Sequence, residues 1–217
     1  MINVFTIKNS FFSSNTYLIS QQDSRECLVI DPGLDKNAIQ HAIDELNVIP
    51  SHILSTHGHF DHTGSVHYLQ HMYNAPFYIH EQDSKILRSI NFFLKIMKID
   101  MRVEVPVPDQ LIQGKKADLV LGNFHLSALN FPGHTEGSCL LLIDNVLFTG
   151  DTLYSKGLGM NPFPGQDKEK LRNSLNNILT SFTENLMIYP GHGSADTLNS
   201  IKAHNKELIH FLEEVSI

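Results

Sequence analysis

The chain has 217 residues, a formal net charge of −7, 41% hydrophobic residues and two cysteines. That length suits a single domain, residues 1–217, with a sizeable core, and the acidic balance argues against a nucleic-acid partner, since no basic cluster exceeds Lys115-Lys116. With no apolar stretch of about twenty residues and no leader-like pattern in residues 1–8, the expected location is cytoplasmic, without membrane insertion.

In chain order, residues 3–7, 16–20 and 26–31 read as an antiparallel set of strands. Residues 36–47 form an amphipathic pattern with Ile39, Ile43 and Leu46 on one face, predicting a helix. A short strand over 51–56 leads through a loop into a helix over 63–73, and 76–80 is another short strand. Residues 85–105, with Ile90, Phe92, Phe93, Leu94 and Met97, are richer in large apolar side chains than an exposed connection requires, and Pro106 and Pro108 then end the helical pattern. Packing on the body, a lid or wall over a site, and a dimer surface all remain open for this segment. Strands follow at 118–121, 124–131, 138–143 and 146–149, with Asp144-Asn145 as a two-residue hairpin turn. A helix over 166–182, a strand over 186–189 and one long terminal helix over 196–215 complete the order. That last helix is expected to bury Ile201, Leu208, Phe211 or Leu212, and Val215. Cys27 and Cys139 fall inside strand-like runs and are expected to be reduced and buried.

The chemistry concentrates in Ser55-Thr56-His57-Gly58-His59-Phe60-Asp61-His62-Thr63-Gly64. Three imidazoles and a carboxylate within six residues, in a strand-to-helix loop, are a metal-binding pattern. Distant parts of the chain offer further ligands: His134 after Pro132-Gly133, Asp151 after Thr149-Gly150, and His192 after Pro190-Gly191. Each follows an apolar strand-like run and a glycine, which lets the backbone turn sharply or approach a ligand closely. Imidazole and carboxylate donors without cysteine suit Zn, Fe or Mn. The other eight histidines (His41, His52, His67, His71, His80, His125, His204, His210) mostly lack partners at ligand spacing and read as ordinary surface or core residues.

From Ile30-Asp31-Pro32-Gly33 to Pro190-Gly191-His192-Gly193, the chain resembles the metallo-β-lactamase fold superfamily, and within it the glyoxalase II (hydroxyacylglutathione hydrolase) branch. The resemblance implies an α+β, four-layer αββα sandwich with a dinuclear metal site at one edge of the sheets. It assigns His57, His59 and His134 to one metal and Asp61, His62 and His192 to the other, with Asp151 bridging. The implied cofactor is two Zn2+, with Fe or Mn as alternatives, and Asp61 and Asp151 are the catalytic carboxylates. Asp31 is expected to orient a ligand from behind, and Thr56 and Thr152 to be local hydrogen-bond partners. Asp at 151 differs from the superfamily's β-lactamases that place Cys in the second site, and His59 differs from the Glu of the flavodiiron branch.

The implied reaction is hydrolysis of a small-molecule thioester by a metal-bridging hydroxide. Lactone or other ester hydrolysis, and a mononuclear iron persulfide dioxygenase using His57, His134 and Asp151, are the alternatives. Two departures concern the substrate. The glyoxalase II C-terminal helical extension has no counterpart here, and Met160 and Pro162 stand where that branch carries a basic residue and a Tyr that hold glutathione. Weak glutathione discrimination is therefore expected, with Met160 and Phe93 as candidate substrate contacts. The sequence leaves the oligomeric state open.

Overall fold

The computed structural model describes residues 2–160, 165–182 and 185–214. Strands β1 (Ile2–Lys8), β2 (Asn15–Gln21) and β3 (Glu26–Ile30) pair antiparallel and open a six-stranded sheet. The chain then crosses over through α1 (Lys36–Leu46) to β4 (Ile49–Leu54), and through α2 (Phe60–Thr63) and α3 (Val66–Tyr73) to β5 (Phe77–His80), both added in parallel. Two 3-10 turns (Glu81–Asp83 and Ile86–Ser89) and α4 (Ile90–Ile96) precede β6 (Gln110–Ile112), which closes the order β1-β2-β3-β4-β5-β6. A second six-stranded sheet contains β7 (Lys116–Leu121), β8 (Phe124–Asn130), β9 (Cys139–Ile143), β10 (Val146–Gly150), β11 (Met187–Pro190) and β12 (Asp196–Thr197) in the order β12-β11-β10-β9-β8-β7. Helices α5 (Lys168–Ser181), α6 (Leu198–His204) and α7 (Lys206–Glu213) cover it.

The strand sequences explain the layering. Side chains alternate between sheet faces, and a strand covered on both faces must be apolar on both. In β3, Cys27 and Val29 pack with Ile39, Ile43 and Leu69 of the outer helices, whereas Leu28 and Ile30 pack between the sheets against Leu126, Leu141 and Phe148. In β9 and β10, Leu140 and Leu147 face Leu171, Leu175 and Ile201 on the other outer layer. Three apolar layers thus separate four layers of secondary structure, as the resemblance implies. Both cysteines are buried and unpaired.

Two local expectations need correction. Asp61 and His62 lie on the single helical turn α2, not in the loop, and the helix predicted over 63–73 begins only at Val66. The terminal helix predicted over 196–215 begins with a short strand and is broken at Asn205, whose extended backbone and side chain cap α7 by accepting from Leu208 N at 3.1 Å. Asparagine competes with the helical backbone for hydrogen bonds, and here its Nδ2 also donates to Tyr154 O and Gly157 O. Val215 lies outside the described residues. For segment 85–105, packing on the body accounts for most of the apolar side chains: Leu87, Ile90 and Leu94 are buried, with Phe93, Met101, Val103 and Val105 packed against them, while Phe92, Ile96 and Met97 are exposed. Among the described residues, no helix is long and apolar enough to cross a membrane.

Candidate metal centre

The ligand-bearing loops leave the strand ends of both sheets on the same side of the sandwich. The loop after β4 supplies His57 and His59, and α2 supplies Asp61 and His62. From the second sheet come His134 after β8, Asp151 after β10 and His192 after β11. Gly150 adopts a positive φ of 49°, turning the chain so that Asp151 points inward. The β1–β2 connection ties the two sheets together beside the site: Asn15 donates its backbone N–H to Gly191 O at 2.7 Å and its side chain to Pro190 O and Gly193 O, and the Tyr17 hydroxyl donates to Pro190 O.

Seven side chains converge in two groups. His57 Nε2 and His134 Nε2 lie 3.1 and 3.0 Å from His59 Nδ1, so these three ring nitrogens face one point. His62 Nε2 and His192 Nε2 lie 3.3 Å apart, and Asp61 Oδ2 is 3.6 and 3.4 Å from them, forming a second group. The Asp151 carboxylate stands between the groups. Its Oδ1 is 3.4 Å from His62 Nε2, and its Oδ2 is 3.6 Å from His134 Nε2 and 3.5 Å from His192 Nε2. All seven residues predicted from sequence are therefore brought together, with Asp151 between the two groups.

The far nitrogens are anchored. His134 Nδ1 donates to Gly159 O at 2.7 Å and His192 Nδ1 to Phe12 O at 3.1 Å. Asp31, buried at a positive φ of 51°, accepts from Thr56 N and from the Thr56 hydroxyl, both at 2.7 Å, and Oδ2 also accepts from His62 Nδ1 at 3.2 Å. The Thr56 hydroxyl, having donated to Asp31, accepts from His57 Nδ1. Asp31 thus holds a histidine of each group, directly for His62 and through Thr56 for His57, with their Nε2 atoms turned toward the cluster. Thr152 differs from expectation: its buried hydroxyl has no hydrogen-bond partner among the described residues.

The electrostatics suit cations. Burial and neighbouring imidazoles push His57 well below the usual range and His59 down to about 3, keeping both rings neutral. For His62 and His192, burial is again the largest single effect and lowers the pKa. Together, however, the nearby carboxylates, Asp151 and Asp61 foremost, outweigh it and lift the two to about 9 and about 10. Burial opposes ionisation of Asp61 and Asp151, yet His62 and His192 hold both below the ordinary carboxylate range. Carboxylates that draw protons onto adjacent imidazoles will also draw a metal ion, which displaces those protons. Asp151 Oδ1 is a second sign: it is buried without a hydrogen-bond partner among the described residues, a costly state unless a cation satisfies it. The residues present fit transition-metal binding.

A cavity of about 210 Å³ opens over this cluster, walled by Phe12, Phe60, Tyr154, Leu158 and Met160. Met160 stands where the sequence placed it, while Pro162 lies outside the described residues. Phe93 is not among the wall residues; it stacks behind Phe60 with ring centroids 6.5 Å apart, so the expected direct contact becomes indirect. Sequence reasoning missed three residues. Phe12 packs edge-on against Phe60 at 5.2 Å. The Tyr154 phenol, its ionisation suppressed by burial and by the Asp151 charge, faces His192. Asp83 is buried behind the first group of histidines. No spacing rule marks any of the three; only the tertiary arrangement does. A larger groove of about 490 Å³ lies elsewhere, between α1, α3 and residues 101–104, and contains none of the ligands.

Known proteins resemble this chain throughout its length. The probable metallo-hydrolase YqgX of Bacillus subtilis is 31% identical over 83% of this chain and 85% of its own. The hydroxyacylglutathione hydrolase GloC of Haemophilus influenzae is 29% identical over 94% and 97%. The crystal structure of the BLEG-1 B3 metallo-beta-lactamase superposes with a TM-score of 0.85 at 28% identity, covering 96% of this chain and 99% of that one. The family model of the metallo-beta-lactamase superfamily matches residues 9–192, a span that holds all seven residues of the cluster, and the chain belongs to that superfamily.

Proposed function

We propose that this metallo-hydrolase cleaves small thioesters of the hydroxyacyl-thiol type at a dinuclear centre. The observation that carries the reading is the complete set of seven ligands in two groups of three with Asp151 between them. His57, His59 and His134 would hold one ion, Asp61, His62 and His192 the other, and Asp151 would bridge. Zinc is the ion we assign, on the strength of the imidazole-rich donor set. When bound, such a pair supplies a nucleophile at neutral pH and a Lewis acid for the carbonyl.

The chain's own residues do the rest. Asp31 and Thr56 orient His62 and His57, and Gly159 O fixes His134. Phe12, Phe60 and Leu158 exclude water beside the cluster. The Tyr154 phenol, kept protonated, is a hydrogen-bond donor at the cavity wall, suited to the developing oxyanion or the departing group. Similarity to GloC favours a hydroxyacyl thioester, while Met160, which has no donor, gives the wall little to hold the carboxylates of glutathione. A β-lactam belongs in the test because of the likeness to BLEG-1.

The test is metal content by elemental analysis after purification without added metal, with a panel of S-lactoylglutathione, the same acyl group on a smaller thiol, a lactone, a β-lactam and a persulfide. We expect about two ions per chain, thioester turnover, and a preference for glutathione below 100-fold in kcat/KM, about 2.7 kcal/mol. A single ion with oxygen-dependent persulfide turnover, or a lactone or β-lactam favoured over every thioester, would refute the reading. Asp151→Ala should lose the second ion and most activity.

A further inference from the structure

The first group of candidate ligands comes from two loops on different sheets, residues 57–59 and 134–137. At the end of the 3-10 turn after β5, Asp83 is completely buried, and its carboxylate reaches both loops at once. Its Oδ2 accepts from Gly58 N at 2.8 Å, between His57 and His59, and from Thr135 Oγ1 at 2.7 Å, next to His134. Its Oδ1 accepts from Gly137 N at 2.7 Å.

Both loops are shaped to admit Asp83, its carboxylate at Gly137 and its backbone at Gly58. A Cβ on Gly137 would fall 2.6 Å from Asp83 Cγ, and one on Gly58 would fall 2.9 Å from Asp83 O. No lysine or arginine pairs with Asp83 among the described residues, and a buried carboxylate is costly unless hydrogen bonds satisfy it. Three charge-assisted bonds do so here, and all three run to the backbone or side chains that carry the His57–His59–His134 group. The second group of ligands has no bond to Asp83.

We propose that Asp83 is a positioning residue that clamps the 57–59 and 134–137 loops together and so presets the three-histidine metal site. The proposal rests on the reading of His57, His59 and His134 as metal ligands. Asp83→Asn keeps the shape but turns one acceptor into a donor, which must then face Gly137 N–H on one side or Gly58 N–H and the Thr135 hydroxyl on the other.

The experiment follows the histidine rings by two-bond 1H–15N NMR during Zn2+ titration under chelator competition, which resolves the two sites by residue. In Asp83→Asn, the affinity read at His57, His59 and His134 should fall tenfold or more, within the 10–100-fold range for lost support of a ligand. The affinity read at His62 and His192 should stay within about threefold, the internal control for a general loss of structure. Thr135→Val should weaken the same site selectively and Thr135→Ser should restore it, and these variants carry the test if Asp83→Asn does not fold. Equal weakening of both sites, or a three-histidine site unchanged in Asp83→Asn or in Thr135→Val, overturns the clamp. Wild-type His57, His59 and His134 signals that ignore Zn2+ would instead overturn the ligand assignment and, with it, the clamp's role.

Discussion

Gly191→Ala should disable the centre through a single methyl group. Gly191 has no positive φ, so alanine strains no backbone and the effect is steric. A Cβ there would lie 2.0 Å from Asp151 Oδ1, 2.8 Å from His62 Cε1 and 2.9 Å from Gly150 C. Ordinary van der Waals contact begins at 3.4 Å, so the Asp151 carboxylate must retreat by about 1.4 Å or the Pro190-Gly191-His192 turn must move outward by a similar amount. Retreat is obstructed, because Asp151 is itself buried among His62, His134 and His192. Overpacking of this kind costs ~1–3 kcal/mol of stability, which the fold can bear. A bridging ligand displaced by ~1 Å costs on the order of 100-fold in rate. The assay is kcat/KM on a hydroxyacyl thioester, with metal content and thermal unfolding measured on the same sample. We expect a folded protein with fewer than two ions and activity down by about two orders of magnitude. A variant that keeps two ions and activity within threefold of wild type would refute the argument that Asp151 is held between the groups by the close approach of residue 191.

Three further outcomes follow from the same geometry. Asp31→Ala removes the acceptor shared by Thr56 and His62, and should weaken metal binding by ~10–100-fold; an unchanged chelator titration would contradict the orienting role. Phe12→Ala, at the cavity wall, should change kcat/KM differently for short and long acyl chains, whereas Phe93→Ala should lower it evenly and reduce stability by ~2 kcal/mol, a Tm drop of about 4–8 °C. Acyl-length dependence in Phe93→Ala but not in Phe12→Ala would reverse that assignment. Tyr154→Phe deletes the hydroxyl alone and should lower kcat on the order of tenfold or more with metal content intact; unchanged kcat would remove the phenol from the reaction.

Local pattern decided much of this protein. Four of the seven clustered side chains fall within six residues, and the other three follow apolar runs and a glycine, so the whole candidate cluster is legible without coordinates. Strands such as β3 and β10 announce burial on both faces because Cys27-Leu28-Val29-Ile30 and Val146-Leu147-Phe148 are apolar at consecutive positions. What the chain alone does not reveal depends on contacts between remote segments. Asp83 meets Gly58, Thr135 and Gly137 across 25, 52 and 54 residues, and nothing near it in sequence distinguishes it from a turn residue. Phe12 becomes part of the cavity because its carbonyl accepts from His192, 180 residues away, across the junction of the two sheets. The break at Asn205 has the same origin: helical periodicity runs through it, but its side chain is engaged by Tyr154 O and Gly157 O. Periodicity and motif spacing report what a segment does with its neighbours along the chain. The clamp, the cavity wall and the helix break are set by partners that only the folded sandwich brings within reach.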